Sequence, residues 1–183
     1  DFGRYPPIRG SEAFRAAVAG WLGRRYRPPA PIDPETMVLP LNGSREGLFF
    51  AALGAREFLG KERPVVLLPN PYYQAYAAGA EAAGADLVPL PCGESEGFLP
   101  DPSFLRRDTL DRTIAFYVAS PSNPEGAVAS AERWRGWVTL ARRHNFMLFA
   151  DECYSELYRT DPPPGVLEVA EGGERPYQNV VSF

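Results

Sequence analysis

Lysine is almost missing from this 183-residue chain: of 19 basic residues only Lys61 is a lysine, and histidine occurs once, at His144. A single histidine excludes a His-rich metal site, and two isolated cysteines, Cys92 and Cys153, cannot build a disulfide framework. No apolar run approaches the roughly 18–20 residues of a membrane span, and no charged-then-apolar leader opens the chain. Neither G-x-G-x-x-G nor G-x-x-x-x-G-K-[ST] occurs, so dinucleotide and P-loop sites lose their main support. With a net charge of −4 and a pI near 5.1, nothing draws the chain to nucleic acid or an anionic membrane. A soluble, cytoplasmic protein with no metal, nucleic-acid or membrane partner is the expectation.

What is present is a core-forming chain, 45% hydrophobic, whose 20 prolines and 17 glycines fall singly or in short clusters between apolar runs. The spacing of Phe14, Val18, Trp21, Leu22 and Tyr26 predicts a helix behind Ser11 as N-cap, ended by Pro28 and Pro29. A second helix is expected from Ser44 to about Leu59, with Leu48, Phe49, Ala52 and Leu53 inward and Gly60 as its stop. Strand-like runs follow at Pro64–Leu68, Asp86–Leu90, Thr113–Val118, Phe146–Ala150 and from Val180. Between them, Tyr73–Ala83 and Ser130–His144 read as helices. Strands alternating with helices predict an α/β fold of three layers, α/β/α, around a mostly parallel sheet. Such sheets bind ligands at the carboxyl ends of their strands, so the segments after Leu41, Leu68, Val118 and Ala150 are the ones to inspect.

After Leu41, Asn42-Gly43-Ser44-Arg45-Glu46-Gly47 turns into a helix, whose first N–H groups and dipole favour a phosphate; an ordinary glycine turn capped by Ser44 is the plainer reading. Asn70-Pro71-Tyr72-Tyr73 places aromatic rings at the sheet edge, where a flat heteroaromatic could stack, although tyrosines also cap cores. In Ser120-Pro121-Ser122-Asn123-Pro124-Glu125-Gly126 two prolines stiffen a loop around the Asn123 amide. Asp151-Glu152-Cys153-Tyr154 puts a carboxylate directly after an apolar strand, where it needs a cation or several donors to stay ionised. Cys153 reads as a small buried filler, His144 as a surface or dipole-facing residue, and Lys61, in a polar connection, as a solvated lysine.

These segments, together with Tyr5-Pro-Pro-Ile-Arg-Gly10 and in this order, resemble the class I/II aminotransferases of fold type I, the superfamily of aspartate aminotransferase, which use pyridoxal 5′-phosphate (PLP). The wording of Tyr5–Gly10, Leu41–Phe49 and Asp151–Tyr158 is most similar to the N-succinyldiaminopimelate aminotransferases of bacterial lysine biosynthesis. The resemblance implies roles residue by residue. Gly43, Ser44 and Arg45 would hold the cofactor phosphate, and Tyr73 would stack on the pyridine ring. Asn123 and Tyr154 would bond its phenolic oxygen, and Asp151 would pair with its ring nitrogen. Tyr5 would reach the phosphate of a second subunit in a homodimer. Amino acid and 2-oxo acid would be the substrates.

The same resemblance places the lysine that holds the cofactor covalently just beyond a strand like Asn179–Phe183. The chain starts without methionine and stops within that apolar run, so residues 1–183 are expected to be the N-terminal part of a large cofactor-binding domain, inactive without the remainder and a small domain. Two other readings share these motifs: a PLP-dependent C–S lyase, and the aminotransferase-like effector domain of a transcription regulator.

Overall fold

The computed structural model describes residues 3, 5–171 and 175–183. Five strands, β1 (Val65–Asn70), β2 (Asp86–Pro91), β3 (Thr113–Ala119), β4 (Met147–Asp151) and β5 (Val180–Ser182), form one all-parallel sheet in the order β2-β1-β3-β4-β5. Each expected strand is there, within one or two residues of its expected bounds. The helices α1 (Glu12–Tyr26), α2 (Ser44–Leu59), α3 (Gln74–Ala82) and α5 (Ala131–His144) are also where periodicity placed them. Two short helices, α4 (Arg107–Arg112) and α6 (Val166–Val169), and a 3-10 turn at Glu94–Glu96 were not foreseen.

The two sheet faces carry separate cores. Alternation along β1 sends Val65 and Leu67 one way and Val66 and Leu68 the other. The first face packs with Phe116, Trp134, Trp137 and Phe146 beneath α5 and α6; the second packs with Leu48, Ala52, Tyr76 and Tyr117 beneath α2 and α3. The α/β/α layering is thereby met. The central strands β1, β3 and β4 are buried on both faces, which is why they read as continuous apolar runs, while β2 at the edge is largely exposed.

Helix ends follow local chemistry. Ser11 and Ser130 accept hydrogen bonds from the N–H groups of Phe14 and Arg133, and Gly60, with φ of 59°, closes α2 in the left-handed region. Ser130→Ala removes the N-cap of a helix that supplies Trp134 and Trp137 to the core. We expect a loss of about 1 kcal/mol, read as a fall in Tm of roughly 2–4 °C in a thermal melt.

α1 departs from its pattern. Its apolar stripe is inward only in part: Tyr26 is buried with Leu22 packed beside it, whereas Phe14 is 53% exposed and Arg15 is buried at 6%. Arg15 is satisfied there by the carbonyls of Arg9, Gly10 and Pro34 and by Glu35 at 2.6 Å.

Candidate active site

The chain runs from β1 outward to β2 and then returns to β3 on the other side of β1, so the carboxyl ends of β1 and β3 diverge into a crevice. A cavity of about 470 Å³ opens there, lined by segments following β1, β3 and β4 and by the first turn of α2. Ser44, Tyr73, Asn123, Asp151 and Tyr154 all line it. Five of the residues singled out from sequence thus converge from four separate stretches of chain.

α2 supplies the anion-favouring end. Gly43 is the cap residue and Ser44 the first helical one, so the expectation of Ser44 as cap is corrected by one position. The Gly43 position offers no side-chain cap, leaving the first N–H groups of a 16-residue helix without intrahelical partners. Arg45 joins the site through its Nε, which donates to the Tyr73 hydroxyl at 2.7 Å, with the guanidinium lying 5.8 Å from the Tyr73 ring centre.

The loop after β3 is held by its own serines. Ser120 Oγ accepts from Ala129 N, Ser122 Oγ accepts from Ala127 N, and Gly126 turns with φ of 72°. This leaves Asn123 free to donate from Nδ2 to the Tyr154 hydroxyl at 3.1 Å. An amide and a phenol are therefore already paired between the helix end and the β4 end.

Asp151 closes the arrangement at the last residue of β4. It is 6% exposed, its Oδ2 accepts from the Tyr76 hydroxyl at 2.5 Å, and its Oδ1 accepts from Cys153 N at a long 3.4 Å. Tyr76 escaped the sequence reading. Its signal is the spacing Tyr73-x-x-Tyr76, which sets one ring at the rim and the next, one turn into α3, inside the core.

Two expectations need correction. Cys153 is exposed at the cavity rim rather than a buried filler. Partial burial of its sulfur and the neighbouring Asp151 carboxylate push the thiol up to about 12, so it stays protonated and is no nucleophile. Lys61 is not freely solvated: its Nζ donates to the carbonyls of Thr113 and His144 at 2.8 and 2.7 Å, and burial lowers its pKa. Those carbonyls lie at the amino ends of β3 and β4, a strand length from the cavity, so Lys61 has no access to a ligand there. His144, at the end of α5, bonds Asp111 at 2.6 Å and also lies away from the cavity. Tyr5 does not line the cavity and is fully exposed.

The donor set fits PLP. The helix N-terminus with Ser44 and Arg45 suits a dianionic phosphate, Tyr73 offers a ring face, the Asn123–Tyr154 pair offers donors for a phenolate oxygen, and the Asp151 carboxylate suits a ring N–H. Among the described residues no cluster could hold a metal ion, and no helix is long and apolar enough to cross a membrane.

Comparison with known proteins gives the same direction. The family described as aminotransferase class I and II matches residues 1–182. The chain is 37% identical over 180 residues to an LL-diaminopimelate aminotransferase of Desulforudis audaxviator, covering 93% of this chain and 42% of that protein. Among solved structures, an aminotransferase from Neisseria meningitidis superposes with a TM-score of 0.87 at 32% identity, over 98% of this chain and 45% of that one. The N-succinyldiaminopimelate aminotransferase of Mycobacterium tuberculosis gives 0.80 at 31% identity, over 98% and 45%. The chain spans about two-fifths of the length of the curated relatives it matches.

Proposed function

Because the chain belongs to the class I and II aminotransferases, whose cofactor is PLP, we propose that it carries the N-terminal part of the cofactor-binding domain of an enzyme that moves an amino group between an amino acid such as glutamate and a 2-oxo acid. The observation that carries the proposal is that one cavity is lined by the first residue of α2, by Tyr73, by the Asn123–Tyr154 donor pair and by buried Asp151.

Ser44, Arg45 and the N–H groups at Gly43–Arg45 bind the phosphate and fix the ring's tail. Tyr73 covers one face of the ring and excludes water from it. Asn123 and Tyr154 hold the phenolic oxygen, and Asp151 holds the proton at the ring nitrogen. Bound in this way, PLP supplies an electron sink for the pair released when the substrate Cα–H bond breaks. The names of the relatives favour a diaminopimelate-type substrate, and a place in lysine biosynthesis in the cytoplasm completes the proposal. Fully exposed Tyr5 and nearly fully exposed Ile8 suit an arm that packs on a second copy, Tyr5 reaching the phosphate bound by its partner.

The test is titration of PLP into the chain, followed by quenching of tryptophan emission and by the visible dichroism that a fixed site induces in the cofactor. One saturable site is expected, inorganic phosphate should compete for it, and Arg45→Ala should weaken it roughly tenfold by removing a charge-assisted contact. Unsaturable binding, or binding indifferent to both phosphate and Arg45→Ala, would remove the proposal.

A further inference from the structure

Tyr76 lies in the first turn of α3, is 1% exposed, and gives its hydroxyl proton to Asp151 Oδ2 at 2.5 Å. Its ring is gripped on two sides. Tyr117 stacks on it with centroids 4.5 Å apart and planes 12° apart, and Tyr73 meets it edge-on at 5.9 Å. Tyr117 is itself anchored, donating its hydroxyl to the carbonyl of Leu48 in α2 at 2.7 Å. A ladder of three tyrosines thus runs from the phosphate-facing helix to the aspartate at the far end of the cavity.

A carboxylate on a short side chain can turn about its last bond, so a single partner leaves its plane undefined. Here one oxygen is tethered by a phenol that cannot move without unpacking the ladder, while the other carboxylate contacts come from rim-exposed Cys153, a long N–H contact to Oδ1 and its thiol. Resting on the cofactor reading above, we propose that Tyr76 is a positioning residue: by holding Oδ2 it leaves Oδ1 as the oxygen presented to the ring N–H of PLP. Burial, and the Asp151 charge next to it, push ionisation of the Tyr76 phenol far up, so it remains a donor throughout the working range. The bland alternative is that Tyr76 simply fills the core between α2, α3 and β4. The two readings differ in one respect. A core filler affects every ligand of the cavity alike, whereas a positioning residue affects only ligands that own a ring nitrogen.

The experiment compares the affinity of the chain for PLP with its affinity for 1-deazapyridoxal 5′-phosphate, in which C–H replaces the ring nitrogen, in wild type and in Tyr76→Phe. Wild type should prefer PLP. The variant should lose about fivefold of that preference, the loss of one hydrogen bond, with the deaza affinity unchanged within twofold. An equal fall for both ligands, or none for either, leaves the preference intact and overturns the proposal. Should Tyr76→Phe fail to fold, 3-fluorotyrosine placed at position 76 keeps the test: its ¹⁹F resonance should move on saturation with PLP and not with the deaza analogue, and identical responses would overturn the role. Wild type binding neither ligand would instead remove the cofactor reading itself, and equal wild-type affinities would remove the pairing of Asp151 with the ring nitrogen.

Discussion

Asp151→Ala is expected to weaken PLP binding by about 10- to 100-fold, the equivalent of one charge-assisted hydrogen bond to a buried group. The expectation comes from placement. A carboxylate at 6% exposure is poorly screened by water, and beyond the Tyr76 hydroxyl its donors are a long N–H contact and the thiol of Cys153, so a cation in the cavity gains strongly from it. The same substitution strands the Tyr76 hydroxyl in the core and should cost about 1–3 kcal/mol of stability. Calorimetric titration with PLP beside a thermal melt separates the two effects. Asp151→Asn is the sharper comparison, because the amide keeps an acceptor for Tyr76 but loses the charge: binding should fall nearly as far while the melt recovers. A variant that binds PLP like wild type would show that Asp151 does not contact the cofactor.

The next residue yields the second large effect. Glu152 is 4% exposed, and burial raises its carboxyl from 4.5 to about 7 despite hydrogen bonds from the Ser182 hydroxyl and Val166 N. A raised folded-state pKa means that the native chain holds a proton the unfolded chain releases. The contribution is therefore fully present below about 4.5, is lost as pH rises toward 7, and changes no further above it. A shift of this size corresponds to about 3 kcal/mol. Glu152→Gln keeps the hydrogen bonds without the titration. Its stability relative to wild type should climb by about that amount between pH 4.5 and 7 in urea melts and then level off. A difference that stays flat across the window would assign the carboxyl an ordinary pKa.

Much of this could be read from the chain alone, and the reasons differ by element. The central strands announced themselves because strands buried on both faces need unbroken apolar runs, and the edge strands β2 and β5 by short apolar runs. α4 and α6 did not, since six and four residues are too few to display a helical period. The inward face of α1 was legible at Leu22 and Tyr26 but not in its first turn, for another reason. Periodicity ranks Phe14 and Trp21 above Arg15, yet Arg15 finds three carbonyls and Glu35 in one place, a coincidence that only the folded chain creates. The strand order also lay outside the sequence, which indicates parallel pairing but not which neighbour each strand takes.

At the site, the residues that project from loops after strands were legible as short motifs, because glycine, proline and asparagine mark such loops. The residues that support them were not. Tyr76 and Glu152 are buried polar groups whose partners lie 75 and 30 positions away in the chain. Spacing could suggest that Tyr76 turns inward, but only the juxtaposition of α3 with the end of β4 gives its hydroxyl a carboxylate. Lys61 teaches the converse: a polar neighbourhood in sequence suggested solvent, and the fold supplied two carbonyls.

Asp151 and Glu152 are consecutive yet address opposite sides of the sheet, one bonded to Tyr76 under α3 and the other to the start of α6. Neighbouring letters are thus read by different audiences, and which audience hears which letter depends on the parity of the count from Met147. Exchange of letters within β4 is a local matter. Insertion or deletion of one would hand the cavity the wrong acid and the interior the other, so this stretch should tolerate spelling changes far better than changes of length.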